Sequence, residues 1–98
     1  MATKIVDVHG KKIDKQIMLA PEQCRAARGW LDWSQDELAK RANVSLSTVR
    51  DFEKGRRSPV RNNLLAIRHA LEQSGISVLF DDVGTPVGIG WRERKAAG

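Results

Sequence analysis

Ser34-Gln35-Asp36-Glu37-Leu38-Ala39-Lys40-Arg41-Ala42-Asn43-Val44-Ser45-Leu46-Ser47-Thr48-Val49-Arg50-Asp51-Phe52-Glu53-Lys54-Gly55 is the stretch whose reading decides the fold. Ser34 suits an N-cap, because a short hydroxyl side chain accepts a hydrogen bond from an orphan first-turn N–H, and Glu37 stands at the capping-box spacing. The helix it opens carries Leu38, Ala39 and Ala42 on one face and ends near Asn43. Asparagine tolerates the left-handed backbone that a tight turn demands. Ser45 caps a second helix that turns Val49 and Phe52 inward and stops at Gly55. Ala39 is small where the two backbones cross, and Leu38, Ala42, Val44, Val49 and Phe52 fill the wedge between them. The second helix keeps Leu46, Ser47, Arg50, Asp51 and Lys54 on its outer side.

The same pattern extends to both sides. Upstream, Pro21 fits a helix's first turn, where its missing N–H has no partner to lose. That helix runs to about Trp30 or Leu31, with Cys24, Ala27 and Leu31 on one face and Gly29 as a weak point, and Trp30 and Trp33 are expected to pack it onto the central pair. Downstream, Ser58-Pro59 marks a loop, and Asn62 or Asn63 is the expected cap of a fourth helix with Leu64, Ile67 and Leu71 inward, closed by Gly75. The period then changes. Ile76 to Phe80 is a β-prone run, Asp81 to Pro86 reads as a turn, and Val87 to Trp91 alternates apolar residues with glycine, so a C-terminal hairpin is expected, followed by a frayed tail over 92–98. Residues 1–19 are polar and basic, with one alternating segment, Lys4 to Val8, that reads as a short strand or an arm. The organisation expected is an arm over 1–19, a helical domain over 20–75 and a hairpin with its tail over 76–98. The fold class is mainly α, a bundle of about four helices with a C-terminal β-hairpin.

Composition narrows the function. The chain has 98 residues, 41% of them apolar and 30% charged, which is the make-up of one globular domain. No run approaches the roughly 18 apolar residues that would span a membrane. The first ten residues lack a signal-peptide apolar core. Cys24 is the single cysteine, so an internal disulfide and a cysteine-based zinc site are both excluded, and a reducing cytoplasm is the expected compartment. Net charge is +5, which favours a polyanionic partner. Its distribution says more: Arg50, Lys54, Arg56, Arg57 and Arg61 crowd residues 50–61 against only Asp51 and Glu53. A polar, unobstructed helix face followed by a basic run is what a DNA major groove and its flanking phosphates accept.

The 34–55 segment resembles the helix-turn-helix of lambda-repressor and Cro-like (XRE-type) regulators over about residues 20–75. The resemblance rests on the Trp-Ser-Gln-x-Glu-Leu-Ala opening at Trp33, Val44-Ser45 at the turn exit, and Thr-Val-x-x-Phe-Glu-x-Gly from Thr48 to Gly55. It implies a sequence-specific regulator that binds double-stranded DNA as a homodimer on an inverted repeat, with helix 45–54 in the major groove. It implies that Leu46, Ser47, Arg50 and Asp51 read bases. Gln35, Lys54, Arg56, Arg57 and Arg61 hold phosphates on the same grounds, and Arg28 pairs with Glu53. Leu46 departs from the best-known repressors, which place glutamine there. Leucine cannot make the bidentate adenine contact but can touch a thymine methyl.

Competing chemistry is thin. His9 and His69 stand alone, Asp81-Asp82 is a plain turn, and no glycine-rich phosphate loop or nucleophile motif occurs, so no enzyme, metal or cofactor is expected. Cys24 reads as a small buried apolar residue. Two other functions use the same fold: a DNA-binding antitoxin that also holds a second protein, and a protein-binding antiactivator. Ser47 and Arg50 on the outer face speak against the latter. The dimer is expected to form through Ile76 to Phe80 and Val87 to Trp91, since an exposed apolar strand and a lone hairpin are both poor solutions in water; the alternative is that the hairpin folds back on its own fourth helix.

Overall fold

The structure, a computed structural model, describes residues 18–91. Residues 1–17 and 92–98, and with them the strand or arm expected at Lys4 to Val8 and the tail, lie outside the described residues. Among the described residues, four helices are followed by one antiparallel hairpin: α1 (Pro21–Leu31), α2 (Gln35–Ala42), α3 (Leu46–Glu53), α4 (Arg61–Gln73), β1 (Ile76–Phe80) and β2 (Pro86–Trp91).

Local chemistry sets most of these boundaries. Pro21 opens α1, and Asp32, in the left-handed region at φ 61°, closes it by returning its N–H to the carbonyls of Arg28 and Gly29. The Ser34 hydroxyl accepts from the Glu37 N–H at 3.0 Å, as its sequence position suggests. The reciprocal half of the capping box is absent, because the Glu37 carboxylate instead takes Arg41 one turn on at 2.6 Å. Asn43 adopts φ 58° and ψ 46°, the left-handed turn between α2 and α3. The Ser45 hydroxyl accepts from the Thr48 N–H and starts α3.

Two expectations are corrected. Neither Asn62 nor Asn63 caps α4. The chain stays extended through Val60 after Pro59, the helix begins at Arg61, and the Val60 carbonyl accepts from both Asn63 and Leu64. Trp30 does not pack α1 onto α2 and α3. It is 66% exposed and leans on Trp91 of the hairpin, ring centroids 6.0 Å apart. Trp33 alone of the two tryptophans packs against the core, with the Arg41 guanidinium 4.4 Å over its ring.

Leu38, Ile67, Leu71, Ile76, Val49 and Cys24 are the largest fully buried side chains, one or more from each helix and one from β1. Burial of each larger aliphatic side chain among them contributes on the order of 1.5–3 kcal/mol. The hairpin therefore belongs to this core. Its register pairs Val78 with Ile89 and Ile76 with Trp91, and it rests mainly on α1 and α4. Gln23 fastens it. That side chain, 3% exposed, donates from Nε2 to the carbonyls of Leu79 (2.8 Å) and Gly88 (3.0 Å), while its Oε1 accepts from the Ala20 N–H.

Candidate nucleic-acid interface

Phe52 and Val49 seat α3 in the core, and 3.6-residue periodicity then turns the residues between them outward. Ser47, Arg50 and Lys54 are exposed, and Thr48 and Asp51 are half-buried beside them. Leu46 is also half-buried and packs against the core, so it sits at the edge of this outer face rather than in the middle of it. Gly55, at φ 73°, turns the chain out of α3 into a loop whose Arg56 and Arg57 are exposed, and Arg61 is exposed at the start of α4. Arg56 lies 3.9 Å from Asp51, a loose pair between two groups that both reach solvent. The result is one continuous surface: a polar helix face followed by a cationic loop.

Behind this surface lies a buried charge. Glu53, the last residue of α3, is 2% exposed. Its carboxylate meets the Arg28 guanidinium as a fork, Nε to Oε2 at 2.8 Å and Nη2 to Oε1 at 2.7 Å. Oε2 also accepts from the Cys24 thiol at 3.0 Å, and Oε1 from the Gln35 amide at 3.0 Å. Arg25 donates to the Glu53 backbone carbonyl, and the remaining Arg28 donor, Nη1, reaches the Trp33 carbonyl at 2.9 Å. Burial works to raise the pKa of Glu53. The hydrogen bonds from Arg28, Cys24 and Gln35, with the charge of Arg28, outweigh it and hold the carboxyl below its ordinary value. The Arg28 pKa rises, chiefly through its bond to Glu53. Burial, then the Glu53 bond and charge, push the Cys24 thiol far up, so it stays protonated and serves as a donor.

The structure thus brings Arg28, Glu53 and Gln35 together behind α3, and leaves Ser47, Arg50, Lys54, Arg56, Arg57 and Arg61 at the surface. The sequence reading missed three participants. Cys24 stands one turn before Arg28 on the same helix face, a spacing that could have placed it beside the pair. Arg25 carries no such signal. Gln23 stands at the third position of α1, where a glutamine favours a capping role, but nothing local points to its bonds with the hairpin.

A family model described as Helix-turn-helix (HTH_3) matches residues 25–78, more than half of the chain and the whole of α2 and α3. The chain belongs to the XRE, lambda-repressor-like helix-turn-helix family. No curated protein gives a significant sequence match. The XRE family is one of DNA-binding regulators, and in this member α2, the turn at Asn43 and α3 form the helix-turn-helix itself. Among the described residues no helix is long and apolar enough to cross a membrane.

Proposed function

We propose that the chain is a sequence-specific transcriptional regulator, without enzymatic activity, that binds double-stranded DNA as a homodimer on an inverted-repeat operator in the cytoplasm. The observation that carries this reading is the exposed face of α3, Ser47, Arg50 and Lys54, which runs without obstruction into Arg56 and Arg57. In this reading α3 enters the major groove. Ser47, Arg50 and Asp51 face base edges, and Leu46 meets a thymine methyl at the rim. Lys54, Arg56, Arg57, Arg61 and the Gln35 amide hold phosphates, which set register without reading sequence. One recognition helix covers only a few base pairs, so a two-fold pair of them is the natural reading unit. The hairpin is the element proposed to hold the dimer, because Leu79, Val87 and Trp91 remain exposed on it, with Trp30 beside them.

Selection of bound sequences from random duplex DNA tests the proposal. It should return one motif with two inverted half-sites spaced about one helical turn. Recovery of no enriched motif by a folded protein would exclude sequence-specific recognition. A single half-site would exclude the dimer.

A further inference from the structure

We propose that Glu53 acts on DNA binding through Gln35, as a positioning residue that orients the Gln35 amide toward a phosphate. The inference rests on the reading of the chain as a duplex-DNA binder, and goes beyond it in tying one phosphate contact to the end of the recognition helix. Gln35 is the first residue of α2 and is half-buried. Its Nε2 donates to Glu53 Oε1 at 3.0 Å. A primary amide has two N–H donors, so one remains for an acceptor outside the protein. The partner's chemistry settles the amide's orientation. A carboxylate only accepts, and turning the amide over would set its oxygen against Glu53.

Glu53 is itself held by three side chains. It is 2% exposed, with Oε1 shared by Arg28 and Gln35 and Oε2 shared by Arg28 and Cys24. A free glutamine would lose rotamer entropy on gripping a phosphate. Here much of that ordering is already in place before DNA arrives, which is how preorganisation raises affinity. Glu53 ends α3 and Gln35 begins α2, so this hydrogen bond joins the proposed phosphate grip to the end of the recognition helix.

Binding of the full chain to a short random-sequence duplex at low salt, measured for Gln35→Ala, Glu53→Gln and the double variant, tests the idea. Random DNA suffices, because a phosphate contact is the same on every sequence. Gln35→Ala should weaken binding about tenfold, the scale of one lost hydrogen bond to a charged group. Glu53→Gln should weaken it to a similar extent, and the double variant should bind within about twofold of either single one. Cys24→Ala removes a donor from Oε2 only, so in that background Gln35→Ala should still weaken binding about tenfold. Losses that multiply in the Gln35/Glu53 double variant would overturn the positioning role. The unbound wild-type chain supplies a readout that does not depend on Glu53→Gln folding. The Gln35 side-chain amide proton bonded to Glu53 should be displaced from its free-glutamine position in the NMR spectrum, and free-glutamine shifts for both protons would overturn the inference. A wild-type chain that fails to bind any duplex would instead overturn the DNA-binding reading itself.

Discussion

At the residue scale the molecule turns on one carboxylate. Glu53 is buried, charged and fully hydrogen-bonded, and Arg28 supplies the compensating charge. Such a pair contributes little net stability over an apolar replacement but is expensive to break from one side. Glu53→Ala or Arg28→Ala should therefore cost about 3 kcal/mol, and a double replacement by leucine and methionine should cost less than either alone. Chemical denaturation of the three variants measures this. The sign of the pH dependence follows from the lowered Glu53 pKa. A depressed carboxyl stabilises the fold above its unfolded pKa of about 4.3, and that contribution is lost as pH falls through the folded value. The stability gap between wild type and Glu53→Gln should thus be present at neutral pH and close in acid, as read by thermal melts. On the outer face, Arg50→Ala should change the preferred site, at about 1–3 kcal/mol for a good base contact. Arg57→Ala should weaken all sequences alike and lower the salt slope by about one unit. An Arg50→Ala protein with unchanged preference would remove that residue from the base readers.

At the scale of elements, turns and caps divide the labour. Asn43 holds a left-handed backbone that alanine resists, so Asn43→Ala should cost about 1 kcal/mol and Asn43→Gly close to nothing. The hairpin depends on an element far from it in the chain. Gln23 reaches the carbonyl of Leu79, 56 residues away, and satisfies two strand carbonyls at once. Gln23→Ala should destabilise the protein by about 1 kcal/mol, because both strand carbonyls would lose a donor in a partly buried setting. Hydrogen exchange should then rise first in β1 and β2. Protection of those amides that did not change would show that apolar packing alone docks the hairpin.

At the scale of the whole molecule, Ile76 and Val78 are buried in the core shared with α4, while Leu79, Val87 and Trp91 remain at the surface. Removing the hairpin would open the core, so the proposed dimer is tested by surface change instead. Leu79→Lys, at a position 41% exposed, should leave the fold intact and shift the sedimentation of the protein from dimer to monomer. It should also weaken binding to a full inverted repeat far more than to a half-site. A Leu79→Lys protein that stays dimeric would place the interface elsewhere.

The features legible in the sequence were those whose physics is local. Ser34, Ser45 and Asn43 work within a few residues of themselves, so a spacing of three or four is enough to read them. The same holds for the apolar stripes of α1 to α4 and for the change of period at Ile76, which together specify a four-helix bundle with a hairpin. The family match over residues 25–78 spans these same helices and the start of the hairpin. Tertiary structure decided the rest, because it depended on groups that no local rule brings together. The start of α4 followed the extended backbone after Pro59 rather than the nearer asparagines. Trp30 went to the hairpin because Trp91 offered a ring there. Cys24, a small apolar residue by its pattern, became a hydrogen-bond donor because folding set a buried carboxylate 3.0 Å from its sulfur. A buried charge must collect every donor within reach, and which donors those are is known only once the helices have packed.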